Sequence, residues 1–584
     1  MGRETVLKVL LLHPEDSPWD DACCRSRWDL IVDLGFASSY TYEEWSRRSG
    51  ARVISIYQLD RQTDGYRSVN QFIGRGRGRL LDRMGLDWWE ILAVLSYHDL
   101  RGFYLLQQLR REIPGGCELV ASRQHLFTRL LEQILDRPVR CLKIDGRGPA
   151  HTVARMLRSA RKLRPEQIAE IAFDKWDMDY RVRRLLTTHK RAMLTEPAVL
   201  LPSAYSNVTR SVLAYAAQLP HRRFLLATTR RSAVPARVPD NVTVVPLSAY
   251  AAPSSATHKH TVELRNAWEE FRRTMLPKVD EFRIAANAGL WDYFPAHLEH
   301  GLRLREAWKR LLESEPVKGV LCGDDLNYHT RLPLILAHGN GLNATYCSHG
   351  ALDGGFLFKM PFADSYLVKG EMERDYLQRA SAIEPEKICL GAPGNNRTAG
   401  QGDHRSGALV FFSQPYEVEG GRADEIYREL LPRLWRAANR SARKMIVKLH
   451  PFESKQARKA LVTSILPEAG PDQIEIVSGV PPEEIMSRTW CGVTVDSSVA
   501  VECALRQIPF FLCGWLDFMG LGYLQQFGGF GVAQVLNSPE AIEQIPEMVA
   551  GRRSLQSTDR IWHEADPAQL DEIMFGTRQV LHAA

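Results

Sequence analysis

The sequence contains few cysteines and no long uninterrupted hydrophobic segment. Ten cysteines are scattered over 584 residues. No pair has the Cys-x-x-Cys spacing typical of structural zinc sites, so we expect reduced thiols and no metal. No apolar segment approaches the ~20 residues that cross a bilayer. The apolar segment at residues 6–12 contains Lys8 and is too short for a signal peptide. These absences predict a cytoplasmic protein.

A strong excess of one charge is also absent. The 75 Lys and Arg side chains and 69 Asp and Glu side chains leave a net charge of +6. This excludes a dedicated nucleic-acid-binding protein, which would carry a concentrated basic face. It allows local basic sites for phosphates or for an anionic membrane surface. The apolar fraction of 45% and the charged fraction of 25% exclude bulk disorder and indicate several globular domains.

Short apolar segments alternate with long amphipathic segments, which is typical of parallel α/β layers. We predict three regions: an N-terminal α/β region at 1–196 with an Arg-rich helical end, an α/β domain at 197–397, and a second α/β domain at 405–584. A polar, glycine-rich segment at 398–407 is expected to link the last two. Residues 74–79 (GRGRGR) lack the spacing of phosphate-binding loops and are predicted to form a flexible basic loop.

The third region contains a basic motif at the end of a predicted strand. The strand is predicted at 445–449, which places Lys448, His450 and Pro451 at its carboxyl end, with Glu453 after them. Ligands of open α/β sheets bind at the carboxyl ends of strands. Lys and His side chains there suit a phosphate group, and an ordinary surface loop is the alternative.

Two further motifs end strands of the same region. Ser497 and Ser498 lie where a strand turns into a helix, where hydroxyls and helix-start N–H groups form a phosphate cradle. Glu502 lies four residues after Ser498 and therefore shares its helix face. Gln414 follows the first strand of the region. A plain helix cap and a polar turn remain open as alternatives.

The second region places acidic and imidazole groups at strand ends. Asp324 and Asp325 follow one strand, and either carboxylate could act as a general base. His349, followed by Gly350, ends another strand and could approach a phosphate or a hydroxyl closely. A helix cap or a hydrogen-bonded core histidine remains the alternative for each.

Together these motifs resemble those of bacterial capsule and cell-wall polymer transferases of GT-B fold. The resemblance rests on five segments: His349-Gly350, 363–370 (ADSYLVKG), 391–393 (GAP), 448–451 (KLHP) and 496–498 (DSS). The His-Pro and Ser-Ser pairs are similar to those of bacterial sialyltransferases and Kdo transferases, which use CMP-activated sugars. CDP-glycerol glycerophosphotransferases show a related set.

The resemblance implies a GT-B architecture, with two Rossmann-like parallel-sheet domains facing a cleft and an extra N-terminal α/β region. It implies an inverting, metal-independent Leloir glycosyltransferase that moves a nonulosonate from a CMP donor to a surface glycan or protein. His450, Lys448 and the Ser497-Ser498 turn would hold the donor phosphate. Asp324 or Asp325 would take the acceptor proton, with His349 as the alternative base.

The nucleotide-sugar donor and the glycan or protein acceptor are the expected partners, with peripheral contact with the inner membrane left open and no nucleic acid or separate cofactor. Three alternatives remain: a CDP-glycerol-type polyol phosphate transferase, a sugar-nucleotide 2-epimerase, and a non-enzymatic nucleotide-sugar sensor.

Overall fold

The computed structural model describes residues 7–14, 27–35, 38–60, 65–122, 124–142, 190–230, 233–252, 254–324, 327–350, 352, 362–380, 383–394, 407–417, 421–451, 453–479, 482–517, 520, 522–551 and 558–576. The chain divides into two compact units. The first unit comprises residues 1–68, 101–144 and 396–561, and the second comprises 69–100, 145–395 and 562–584.

The first unit contains a five-stranded sheet in the order β3-β2-β1-β4-β5. Its strands, all parallel, are β1 (Lys8–Leu12), β2 (Leu30–Asp33), β3 (Arg52–Ser55), β4 (Glu118–Ala121) and β5 (Val139–Cys141). Its helices are α1 (Ser39–Ser49), α2 (Ile56–Asp60), α5 (Tyr97–Leu109, which begins in the second unit) and α6 (Leu126–Leu135). Local sequence sets the bounds of α1: the Ser38 hydroxyl accepts from the Thr41 N–H, and Gly50 ends the helix at a φ of 69°.

The second unit contains a seven-stranded parallel sheet in the order β12-β11-β10-β9-β6-β7-β8. Its strands are β6 (Ala198–Ser203), β7 (Arg223–Thr228), β8 (Val242–Pro246), β9 (Val317–Cys322), β10 (Asn343–Cys347), β11 (Ser365–Val368) and β12 (Ile388–Leu390). Its helices are α3 (Gly65–Gly76, which begins in the first unit), α4 (Trp88–Ala93), α7 (Ser206–Ala216), α8 (Ser254–Met275), α9 (Asp280–Asn287), α10 (Phe294–Ser314), α11 (Tyr328–Gly339), α12 (Glu371–Ala380) and α19 (Pro567–Phe575).

Two sequence-distant segments complete this second unit. Leu570 and Met574 of α19 pack in the core beneath β6 and β9. Trp89 of α4 contacts Trp291 and Phe294 in an aromatic cluster formed with the long helices. Residues 562–576 and 69–100 therefore contribute core to the second sheet's unit although they lie far from its strands in sequence.

A six-stranded parallel sheet, in the order β15-β14-β13-β16-β17-β18, also belongs to the first unit. Its strands are β13 (Ala408–Phe412), β14 (Met445–Lys448), β15 (Ile474–Val477), β16 (Thr489–Thr494), β17 (Phe510–Cys513) and β18 (Gln534–Leu536). Its helices are α13 (Ala423–Arg440), α14 (Lys455–Ile465), α15 (Pro482–Ser487), α16 (Val499–Leu505), α17 (Tyr523–Gly529) and α18 (Ile545–Ala550). One face of α13 packs against the buried side chains of β13 and β14.

The predicted α/β class is confirmed, because every strand pairing between named strands of the three sheets is parallel and each sheet has Rossmann-like order. The predicted loop at 74–79 is wrong in its first half, since α3 extends through Gly76. The predicted linker at 398–407 lies outside the described residues except for Gly407, and most of the Arg-rich helical end does too. The domain boundaries stay a prediction. Within the described part of the chain, no helix is both long and apolar enough to cross a membrane.

Candidate functional site

The carboxyl edge of the third sheet collects most of the predicted donor-binding residues. The strand order reverses direction between β13 and β16, which are neighbours in the sheet but not in sequence. Ligands of doubly wound sheets bind at this switch point, outside the carboxyl ends of the strands. Gln414 follows β13, Ser497 follows β16, and His450 follows the adjacent strand β14.

Lys448 and His450 provide the basic groups of this edge. Both side chains are half-buried, and burial lowers the pKa of each below its ordinary value. The Lys448 ammonium donates to the Leu449 carbonyl at 3.1 Å, and Pro451 next to His450 is exposed. A partly desolvated ammonium and imidazole at a strand end are suited to bind a phosphate.

The Glu453 carboxylate is buried and is hydrogen-bonded to the backbone of the loop that carries His450. Its side chain is 1% exposed. One carboxylate oxygen accepts from the His450 N–H at 2.8 Å, and the other accepts from the Ser413 hydroxyl at 2.9 Å and the Arg458 guanidinium at 2.7 Å. Glu453, predicted as a ligand-binding residue, therefore lies where it orients the His450 loop.

Arg458 extends this network to a second carboxylate. Its two terminal nitrogens donate to Glu417 at 2.9 and 2.8 Å. Burial disfavours the charged guanidinium, but the contacts with Glu417 and Glu453 outweigh it and raise the pKa of Arg458. The Tyr427 hydroxyl donates to Ser413 at 2.7 Å. These side chains tie β13, α13 and α14 to the loop that carries His450.

Gln414 forms a clamp across the switch point. Its amide nitrogen donates to the Asp496 carboxylate, and its amide oxygen accepts from the Asp496 N–H at 3.2 Å. Gln414 is 9% exposed and Asp496 4%. The structure thus places the predicted ligand Gln414 in a buried contact that joins the ends of β13 and β16.

The hydroxyls of the next turn are more accessible. Ser497 and Ser498 are half-buried, and so is Glu502 on α16. The Ser497 hydroxyl accepts from the Val499 N–H at 3.4 Å, whereas the Ser498 side chain makes no capping bond to α16. Helix α16 has seven residues. The two serines therefore lie at the same edge as Lys448 and His450, as the sequence predicts.

The carboxyl edge of the second sheet contains Asp324 beside a helix cap. Its carboxylate accepts from the Asn327 amide at 2.6 Å, and the Asn327 side chain in turn caps α11 by accepting from the His329 N–H at 3.0 Å. Asp324 is 6% exposed. It thereby orients the start of α11. Asp325 lies outside the described residues.

His349 follows β10 at this same edge, and hydrogen bonds hold its side chain, its carbonyl and the neighbouring Gly350. Its Nδ1 contacts the Gly323 carbonyl oxygen at 3.0 Å. Because a carbonyl oxygen only accepts, Nδ1 carries a proton, and in the neutral imidazole Nε2 is then an acceptor. The Ser211 hydroxyl contacts the His349 carbonyl at 3.5 Å, and the Lys369 ammonium donates to the Gly350 carbonyl at 2.7 Å. This tautomer suits a general base.

Several of these supporting residues escape the sequence analysis. Arg458, Glu417, Tyr427 and Lys369 lie in ordinary amphipathic or turn positions, and only Lys369, in the 363–370 motif, has a local signal. Their partners are four to 41 residues away. Among the residues that the structure describes, no group of three or more His, Cys, Asp or Glu side chains is arranged to hold a metal ion.

Comparisons with known proteins give only distant similarities. No protein-family model matches the chain, and no curated protein sequence matches it. A putative UDP-N-acetylglucosamine 2-epimerase from Listeria monocytogenes is 10% identical, with a TM-score of 0.40, over 64% of this chain and 92% of that one.

Two transferases are similarly distant. The calicheamicin glycosyltransferase CalG4 is 13% identical, with a TM-score of 0.39, over 66% of this chain and 95% of that one. A variant of the wall teichoic acid polymerase TagF is 10% identical, with a TM-score of 0.36, over 72% and 96%. At this level of similarity, an activity has to be argued from the chain's own residues.

Proposed function

We propose that this chain is a glycosyltransferase of GT-B class that uses a nucleotide-sugar donor. The observation that carries the proposal is the juxtaposition of Lys448 and His450 with the Ser497-Ser498 turn at the switch-point edge of the third sheet. Glu453 holds the His450 backbone in place. An edge built in this way would bind a phosphate and stabilise the charge that develops on a leaving nucleotide.

The proposed reaction is a single displacement at the anomeric carbon. An acceptor hydroxyl oxygen forms a bond to that carbon while the bond from carbon to the phosphate oxygen breaks. The electron pair leaves with the nucleotide phosphate, and the hydroxyl proton passes to a base. The configuration inverts, and no metal takes part in this scheme.

We assign the base to His349 in preference to Asp324. His349 has the tautomer that leaves Nε2 as a proton acceptor, whereas Asp324 is buried and bonded to Asn327. Removing a general base costs roughly 10²–10⁴-fold in rate. His349→Ala is therefore expected to lose turnover and keep nucleotide binding. If His349→Ala remains active and Asp324→Asn or Asp325→Asn does not, the base is acidic.

The finer proposal names a CMP-linked nonulosonate, such as Kdo or sialic acid, as the donor and a surface glycan or protein as the acceptor. It is supported by the resemblance carried by 448–451 and 496–498. Transfer of a polyol phosphate from CDP-glycerol breaks a different bond, and a 2-epimerase needs no acceptor. The cell envelope would be the destination of the product.

A nucleotide panel tests the proposal. Thermal unfolding of the full chain is measured with CMP, CDP, UDP and GDP, because a ligand at 100 times its Kd adds about 2.7 kcal/mol to stability. Stabilisation by a cytidine nucleotide favours the CMP or CDP-glycerol reaction, and stabilisation by UDP alone favours a UDP-sugar transferase or an epimerase. No stabilisation by any of the four contradicts a nucleotide-sugar enzyme.

A further inference from the structure

The first unit contains a buried ion pair between regions that are far apart in sequence. Asp33 ends β2 of the first sheet, and Arg422 immediately precedes α13 of the third sheet. The guanidinium donates to both carboxylate oxygens of Asp33, at 2.6 and 2.7 Å. It also donates to the His13 carbonyl at 3.1 Å. The Arg422 side chain is 5% exposed and the Asp33 side chain 0%.

Two carboxylates on the same face of α13 continue this contact. Glu425 accepts from the Thr41 hydroxyl and lies 3.5 Å from Arg422. Glu429 accepts from the Tyr40 N–H at 2.8 Å and from the indole N–H of Trp515, which follows β17. Arg422, Glu425 and Glu429 recur at helical spacing, so they form one ionic face of α13 directed at the N-terminal region.

The opposite face of α13 contacts the candidate nucleotide site. The Tyr427 hydroxyl donates to the Ser413 hydroxyl at 2.7 Å and lies 3.4 Å from Glu453. Glu453 in turn accepts from the His450 N–H at 2.8 Å. A single helix therefore joins the N-terminal sheet on one side to the backbone of the His450 loop on the other.

Buried charges make the position of such a helix unusually specific. Each of these side chains is removed from water, and the directional hydrogen bonds of Arg422, Glu425 and Glu429 would be lost if α13 shifted. Apolar packing tolerates small shifts more readily, because it has no directional bonds to keep. The N-terminal contact therefore sets where Tyr427 lies.

We infer that the first sheet and its helix α1 form a positioning module for the nucleotide site, which acts through the Asp33–Arg422 and Thr41–Glu425 contacts on α13. Asp33, Thr41 and Arg422 are positioning residues and touch no substrate in this role. The inference rests on the proposed function, because that function gives the His450 loop its role in nucleotide binding. The placement of the loop itself is measurable without any ligand.

Amide hydrogen exchange of the ligand-free full chain tests the placement. Asp33→Asn keeps an oxygen for Arg422, and Thr41→Val keeps the side-chain shape, so both variants are expected to fold. Each is expected to speed exchange at 413–417 and 449–454 roughly 3- to 30-fold. Asp29→Asn is the matched control, because the Asp29 carboxylate is exposed and accepts from the Lys8 N–H at 2.7 Å, away from α13. Faster exchange confined to 30–60 and 422–430 in both test variants would overturn the inference.

Nucleotide affinity then tests the consequence. CMP and UDP are titrated by calorimetry into wild type, Asp33→Asn, Tyr427→Phe and the double variant. Each single substitution is expected to raise the Kd for the nucleotide roughly 3- to 30-fold. The Kd of the double variant is expected not to exceed the larger of the two single-variant Kd values, because both substitutions act through the position of α13. Additive losses, or Asp33→Asn within twofold of wild type, contradict the inference. If wild type binds neither nucleotide, the proposed function is in question and the exchange result alone decides the inference.

Discussion

The first and third sheets share a scaffold and use its edge differently. The two sheets have the same strand order around the switch point. In the first sheet β2 lies beside the switch-point strand β1, and in the third sheet β14 lies beside the switch-point strand β13. The last residue of β2 is Asp33, which Arg422 neutralises. The last residue of β14 is Lys448, which donates to a backbone carbonyl.

One residue type at one strand end thus distinguishes the edge of the first sheet, where Arg422 binds Asp33, from the proposed anion-binding edge of the third sheet. In the first sheet, an arginine from the third sheet's region takes the place where a ligand of a doubly wound sheet would bind. In the third sheet, the corresponding position carries a cation, and the acidic group Glu453 lies beneath it. A shared fold therefore does not imply a shared function within one chain.

The largest expected effect comes from breaking the Asp33–Arg422 contact at the edge of the first sheet. Arg422→Met leaves Asp33 and Glu425 buried without their cation, and removing one partner of a buried ionic contact costs about 3–5 kcal/mol. Chemical denaturation of the full chain measures this loss. Arg433→Met, whose partner Glu540 is 69% exposed, is the control and is expected to change stability by less than about 1 kcal/mol. Equal effects of the two substitutions would contradict the comparison.

The second effect is a pH dependence of the folding stability, caused by Glu425 beside the Asp33–Arg422 pair. Burial raises the pKa of Glu425 from its ordinary value of 4.5 to about 7. Folding therefore favours the protonated carboxyl. Its contribution to stability is fully present below pH 4.5 and is lost as the pH rises through about 7, by up to roughly 3 kcal/mol. Glu425→Gln is expected to flatten this part of the stability profile between pH 4.5 and 7.5, and an unchanged slope would show that another group is responsible.

The third effect is on nucleotide affinity, which is compared between a variant at the edge of the third sheet and one at the edge of the first sheet. His450→Ala removes a donor from the anion-binding edge, and a hydrogen bond to a charged group is worth about 1.5–3 kcal/mol, so nucleotide affinity is expected to fall roughly 10- to 100-fold. His13→Ala, at the end of β1, keeps the main-chain oxygen that Arg422 uses and should stay within twofold of wild type. Titration calorimetry with CMP and UDP compares them. A larger loss in His13→Ala would relocate the site to the first sheet.

The smallest effect concerns the exposed face of α13. Arg436 pairs with Glu543 at 2.6 Å, with side chains that are 49% and 36% exposed. Such pairs contribute about 0.2–1 kcal/mol and weaken with salt. Arg436→Ala is expected to cost less than about 1 kcal/mol at low ionic strength and nothing measurable at 1 M salt, by denaturation. A salt-independent loss above that would mean that this face also carries a specific contact.

Much of the fold is readable from local patterns. The strands that the structure describes are mostly short, buried apolar segments that end in polar turns, and this is the local pattern that predicts the α/β class. The apolar side chains of α13 repeat at helical spacing between Ala423 and Arg440, so this helix is visible in the sequence. The amphipathic segment at 260–313 forms the end of α8 followed by α9 and α10 and not one continuous helix.

The candidate site is readable to the extent that it lies at strand ends. Lys448 ends β14, while His450 and Ser497 lie within three residues of the ends of β14 and β16, and parallel strands bring their carboxyl ends to one edge. The roles within the site are less local. Gln414 and Glu453 are polar residues after strands, and nothing in their neighbourhood indicates that Gln414 clamps Asp496, 82 residues away, or that Glu453 supports a loop.

The sequence by itself determined the parallel α/β class, the strand ends and the basic motif of the third sheet, because hydrophobic periodicity and strand-to-turn transitions depend on neighbouring residues. Only the tertiary structure decided which polar groups serve as partners for others. Asp33 and Arg422 are 389 residues apart, and each alone has the pattern of an ordinary charged residue beside an element. Their pairing follows from burial: once the two sheets pack into one unit, a buried charge left without its counterpart would cost about 3–5 kcal/mol, a large share of the stability of a folded unit.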